Sequence, residues 1–295
     1  MTNLSYACKE NLIRRTLAGI AGCSLLFLTL IMVFLFIEGL PIFSFVSMKE
    51  FFLGSAWYPT SEPPEFGIFP LIVGSVAVTL VSSSIAIPLG VMTAAWLTEI
   101  APTVVRRIVK PVIELLAALP SVVVGFFGMV IMAPLLQDWF NADTGLNLFN
   151  AGIMLAFMSV PTICSISEDA LYAVPASLRE ASLALGATRW ETTIRVVIPA
   201  AFSGIGTGCM LGMSRSIGET MVVLMVAGGA GIIPHSLFSP VRPMPAAIAA
   251  EMAEAPFRGE HYHALFAIGM VLFLFTLAFN IIAQRIAEKN RQALD

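Results

Sequence analysis

Charge is scarce in this sequence of 295 residues: Lys, Arg, Asp and Glu make up 12% of positions against 58% hydrophobic residues. A soluble domain needs far more polar surface than this to stay hydrated, so a freely soluble globular fold is excluded. None of the four lysines (Lys9, Lys49, Lys110, Lys289) follows a Gly or precedes Ser or Thr, so the phosphate-cradling GxxxxGK[ST] loop is absent. GxSxG and HExxH are absent too, and with them the usual nucleophile and zinc-hydrolase arrangements. The four cysteines, Cys8, Cys23, Cys164 and Cys209, have neither metal-ligand spacing nor the density of a disulfide framework, and read as small core residues. The expectation is a chain with no catalytic residue, no metal site and no cofactor of its own.

What is present is apolar sequence in long blocks. Charge-free runs cover Leu17 to Ile37, Phe66 to Thr98, Leu115 to Gln137, Thr144 to Ser167, Val196 to Ser214, Thr220 to Val241 and Ala264 to Gln284. Most approach or exceed the roughly 20 residues that a helix needs to cross the hydrocarbon. Their continuous Leu, Ile, Phe, Met and Val exclude the ten-residue alternation of a membrane barrel. The first run is followed by "IEGLPIF", with no small-x-small cleavage site, and reads as a retained span. The fold class is an all-α integral membrane protein.

The positive charges choose among topologies. Val196 to Val241 is read as one long helix interrupted near "GGAG" (228–231), which gives six spans. Lys9, Arg14, Arg15, Arg106, Arg107, Lys110, Arg179, Arg189, Arg195, Arg285, Lys289 and Arg291 then share one side, against only Lys49, Arg242 and Arg258 on the other. Such an imbalance puts both termini in the cytoplasm. Residues 1–65 hold the first span and an external loop, 66–285 a five-span core and 286–295 a tail. Pro88 and Pro120 are expected to kink the second and third spans. The external segment 229–263 is either a re-entrant or surface-lying element or an ordinary loop with one short helix. His261 and His263 in it read as interfacial residues.

Between the fourth and fifth spans lies "VPASLREASLALGATRWETTIRVVIPAA" (174–201). Pro175 suits a first helical turn, Gly186 a stop, and Thr188 with Glu191 a capping box that opens a second short helix. The predicted product is a knob shaped to enter a groove on another protein. This segment resembles the EAA loop of ATP-binding-cassette importer permeases through Glu180, Ala181, Gly186, Ile198 and Pro199, with Ser182 replacing the motif's second Ala. The resemblance implies a type I importer permease architecture in which 174–199 couples to an ATPase. "FGIFPLIVGSVAVTL", "ELLAALPSVVVGFFG", "GETMVVLMVAGG" and "AEMAEAPFRGEHYHALFAIG" narrow it to the phosphate-specific transport permeases, PstC-type more than PstA-type. The resemblance further implies a second, PstA-like permease, two copies of a cytoplasmic ATPase that binds ATP and Mg, an external phosphate-binding protein and a bacterial inner membrane. Nothing in the sequence implies nucleic acid.

One charge pair sits inside an apolar block, Arg215 and Glu219, and such residues usually face a bundle interior or an aqueous path. Their i, i+4 spacing places them on one helical face, within reach of each other. Arg suits a phosphate through its planar fork of donors, with Glu219 compensating it when the path is empty. The alternative is a structural ion pair between helices. Gly204, Gly208, Gly212 and Ser216 form a small-xxx-small ladder beside that face, suited to close helix packing. Thr79, Ser82, Ser83, Ser84, Ser121, Thr162, Ser165 and Ser167 are further candidates to line a path or to satisfy helix carbonyls. Importers of another oxyanion (molybdate, sulfate, a phosphonate), a secondary transporter or channel, and a phosphate-signalling scaffold remain alternatives.

Overall fold

The computed structural model describes the backbone of residues 2–292 and the side chains of residues 10–285. Cys8, Lys9, Lys289, Arg291 and the tail assigned to 286–295 lie outside the described side chains. The chain is almost wholly helical. α1 (Thr2–Gly39) runs through a short 3-10 turn into α2 (Met48–Leu53). A two-stranded antiparallel hairpin follows, β1 (Trp57–Tyr58) with β2 (Glu65–Phe66), before α3 (Phe69–Glu99) and α4 (Thr103–Ala117). α5 (Ser121–Phe127) and α6 (Ala133–Phe140) are joined by a π turn, and α7 (Leu148–Tyr172) leads to the short α8 (Ala176–Ala184), α9 (Arg189–Thr192) and α10 (Ile198–Ala200). α11 (Phe202–Ile217), α12 (Met221–Val226), α13 (Met244–Glu251) and α14 (Glu260–Gln292) complete the chain.

Five helical segments are long and apolar enough to cross a membrane: Glu10–Ser44, Phe69–Glu99, Ser121–Phe140, Leu148–Tyr172 and Glu260–Arg285. A sixth exists if Arg189–Ala200 and Phe202–Ile217, bent by 71° at Ala201, count as one span. The single long helix expected over Val196 to Val241 does not form. α11 stops at Gly218, α12 restarts at Met221, and "GGAG" lies in the irregular segment beyond, with Gly228 and Gly229 at positive φ and Gly228 bridged to Val241. The break has a local cause: Glu219 Oε1 accepts the N–H groups of Met221 (3.2 Å) and Val222 (3.4 Å), two donors that a restarting helix leaves unpaired.

The run expected as a third span divides as well. Leu115 to Ala117 belong to α4, an amphipathic helix, and Pro120 precedes α5 at its N-cap instead of kinking a helix. Proline fits there because a first-turn N–H has no intrahelical acceptor to lose. Pro88, by contrast, does lie within the uninterrupted α3.

α3, α7 and α11 form the centre of the bundle. The segment assigned to 229–263 is an irregular stretch with one short helix before the start of α14, the form of the second alternative. It crosses beside β1 through a bridge between Ala56 and Ile232 and then forms α13, which is packed on α14. Cys164 is buried and Cys209 half-buried, but Cys23 is exposed on α1, contrary to its reading as a core residue.

Candidate translocation and coupling sites

The glycine ladder of α11 lies against α7. A side chain at Gly204 would collide with Ala170, one at Gly208 would stand 3.2 Å from Ile166, and one at Gly212 only 2.5 Å from Ile163 Cγ1. Helices approach this closely only where no Cβ intervenes, and the approach supplies van der Waals contact where lipid removes most hydrophobic drive. The last rung is polar. Ser216 Oγ is 2.9 Å from Ser159 Oγ on α7 and 3.2 Å from Ser82 Oγ on α3, so hydroxyls join all three central spans.

Two of the other hydroxyls singled out in the sequence turn back onto their own helices. Thr79 donates to the carbonyl of Ser75 and Ser84 to that of Val81. Ser83 Oγ and Ser167 Oγ are buried without a protein partner. Ser214 Oγ donates to Asn280 Oδ1 on α14 at 2.8 Å, a contact the sequence did not point to because Asn280 is an isolated polar residue in the last apolar run.

Arg215 and Glu219 do not meet. The helix that would have put them on one face ends between them, so Glu219 caps α12. Arg215 is exposed on this chain, with Nη1 donating to Thr162 Oγ1 at 3.4 Å. Ion pairs within 4 Å among the described residues include neither of them. A guanidinium without a carboxylate partner keeps its donor fork available to an anion.

The knob forms with its expected signals. Thr188 and Glu191 exchange both bonds of the capping box, and those bonds hold the Glu191 carboxyl below its ordinary range. Gly186 turns the chain at φ +88°, a conformation that disfavours any Cβ. Glu180 and Ala181 are exposed on α8, whereas Ser182 Oγ is 2.9 Å from Thr192 Oγ1 of α9. Ile198 and Pro199 lie in α10, just before the bend at Ala201. Leu185 is 90% exposed and Trp190 61%, so the knob offers apolar surface that none of the described residues covers.

Two charge clusters were not legible in the sequence. Glu168 of α7, 2% exposed, accepts from Arg106 Nη2 (2.9 Å) and lies 3.3 Å from Lys110 Nζ, which ties α4 to α7. The spacing of Arg106 and Lys110, one helical turn apart, was the available signal. At the opposite end Glu251 gathers Trp57 Nε1–H (2.9 Å), the Arg242 guanidinium and His261 Nε2 (2.8 Å). His263 Nδ1 donates to the carbonyl of Glu38 at 2.7 Å and fixes the start of α14 to the end of α1. Among the described residues no cluster of His, Cys, Asp and Glu has the form of a metal site.

Similarities to known proteins follow this geometry. The structure resembles a chain of a bacterial alginate ABC transporter solved in complex with an alginate pentasaccharide-bound periplasmic protein (TM-score 0.67, 14% identity, 98% of each chain). It also resembles the MetNI methionine transporter in an inward-facing form (TM-score 0.59, 19% identity, 78% of this chain and 99% of that one). At such identities the likeness establishes the fold. In sequence, the chain is 38% identical to the "Probable ABC transporter permease protein YqgH" of Bacillus subtilis over 92% of this chain and 90% of that protein. It is 39% identical to the "Phosphate transport system permease protein PstC" of Pasteurella multocida over 75% and 73%. Residues 86–292 match the family described as the binding-protein-dependent transport system inner membrane component, and the chain belongs to that family.

Proposed function

We propose that this chain is the PstC-type permease subunit of an ATP-driven importer of inorganic phosphate in a bacterial inner membrane. The observation that carries this reading is the 39% identity to a PstC permease over three quarters of the chain, together with an exposed arginine on the central helix α11. On this reading the sixth span crosses through α11 and the residues just before its bend, and the charge imbalance supports a cytoplasmic side for the α8–α9 knob and both termini.

The chain has no nucleotide loop, so ATP and Mg belong to a partner ATPase, in two copies, seated on the exposed apolar surface of the knob. A PstA-like permease completes the pore, and an external phosphate-binding protein delivers the cargo. ATP-driven movement of the knob rocks the central spans, and the path beside Arg215 alternates between the two sides. Arg215 contacts the anion as a fixed, weakly hydrated fork. Glu219 contributes by holding the α11–α12 break open beside it.

The test is ATP-dependent uptake of labelled phosphate by vesicles carrying the assembled complex, competed with sulfate, molybdate and phosphonate. Selective phosphate uptake is the expected result, and uptake of another oxyanion would overturn the cargo while keeping the architecture. Arg215→Lys, which keeps the charge and loses the fork, should lower uptake by about tenfold or more at unchanged abundance. Normal uptake by that variant would remove Arg215 from the path.

A further inference from the structure

One guanidinium joins three elements at the knob end. Arg179, in the second turn of α8, donates through Nη2 to Glu99 Oε1 at 2.9 Å, with Nε 3.3 Å from the same oxygen. Glu99 is the last residue of α3. The same guanidinium donates to the carbonyls of Val174 (Nη1, 2.6 Å) and Leu171 (Nη2, 2.8 Å) at the C-terminal end of α7, the second of which also accepts the Val174 N–H at 3.3 Å. Both side chains of the ion pair are largely covered, at 23% and 14% exposure, so water screens the pair little.

Packing does not duplicate this link. α8 has no buried residue of its own. A cavity of about 230 Å³ opens beside Glu99, Arg179 and Leu183. Another of about 540 Å³ lies between Val174, Leu178 and the start of α11. A helix flanked by open space can tilt without carrying its neighbours unless a directional bond holds it to them. Arg179 makes such bonds to α3 and to α7 at once, and its planar fork resists rotation where a lysine ammonium would swivel.

We propose that Arg179, anchored on Glu99, is the positioning residue that passes displacement of α8 to the membrane spans α3 and α7, and passes the state of those spans back. The inference rests on the reading of this chain as the permease of an ATP-driven importer. It predicts uncoupling instead of unfolding when the link is cut. Glu99→Gln is the milder cut, because it removes the charge facing Arg179 but leaves the carbonyl caps on α7. Arg179→Ala removes both.

The experiment uses the assembled complex in vesicles and measures three quantities: basal ATP hydrolysis, its stimulation by the phosphate-loaded binding protein, and phosphate imported per ATP. Both variants should keep basal hydrolysis within about twofold of the parent while stimulation and import per ATP fall by about tenfold, a coupling loss of ordinary size. Arg179→Lys should recover part of the stimulation. Unchanged stimulation in both variants, or a loss of stimulation and basal hydrolysis in equal proportion, overturns the proposal. Stimulation is read at the ATPase, so it tests the link even if the parent complex hydrolyses ATP but imports no phosphate, a result that would instead overturn the cargo. A parent complex that shows no stimulation at all overturns the importer reading and the link together.

Discussion

The two ends of the bundle are stabilised by different means. The α13 end has a core of the kind found in soluble proteins. Phe51, Trp57, Ile68, Leu71, Leu265 and Ile268 are fully buried there, and one carboxylate, Glu251, binds elements from three parts of the chain. At the α8 end a buried cluster of Leu97, Leu171, Val174, Val197, Ala201 and Ile205 joins the spans to the segment around α10, but α8 adds no buried residue to it and is held by an end-of-helix ion pair, a capping box and a glycine turn. A cap with its own core keeps its shape alone. A knob with local caps and an uncovered apolar face keeps its shape locally and takes its position from whatever it contacts. The difference matches the division of labour in an importer, with a fixed rim at one end and a lever at the other.

The largest effect expected from breaking this contrast lies at the α13 end. Glu251→Ala would leave Arg242 and the Trp57 indole N–H largely buried without their acceptor, at a cost of roughly 3 kcal/mol or more. A marked fall in the thermal midpoint of purified protein should result, and an unchanged midpoint would show that the cluster does not hold the rim.

Next comes the central packing between the two ends. Gly212→Val would drive a branched side chain into Ile163 and separate α11 from α7, at roughly 1–3 kcal/mol. Lower yield of folded protein is expected, whereas the same change at Gly206, where a Cβ meets nothing within 4 Å, should be tolerated. Equal yields from the two variants would show that the ladder is not a close-packing face.

The smallest effects belong to the knob. Thr188→Ala removes the side-chain half of the capping box and should cost about 1 kcal/mol of local order. Faster amide exchange in α9 should appear with no change in α13. The same site predicts a pH dependence. Its bonds depress the Glu191 pKa in the folded knob, so their contribution is present above the ordinary Glu pKa and is lost as pH falls through the depressed value. Exchange protection in α9, corrected for the intrinsic slowing of exchange in acid, should therefore fall on acidification in the parent and not in Glu191→Gln. A pH response that survives that substitution would place its origin elsewhere.

The sequence by itself determined what depends on neighbours along the chain. Long apolar runs make spans because a bilayer leaves backbone groups no acceptor but the helix, and Gly186, Thr188 and Glu191 act within a few residues of one another. The knob and its family resemblance were therefore legible, as was the small-residue face of α11. Which helix that face would meet was not.

The tertiary structure alone decided the partner of each charge. Glu251 meets Trp57 across 194 positions, Arg179 meets Glu99 across 80, and Arg106 meets Glu168 across 62. Periodicity carries no information over such separations. It decided Glu219 as well, since the i, i+4 argument presupposed a continuous helix and the chain gained more by capping a restarted one. A span's existence is fixed by the local solvation of its backbone, whereas the partner of a charge is fixed by which helix ends the packed bundle brings together.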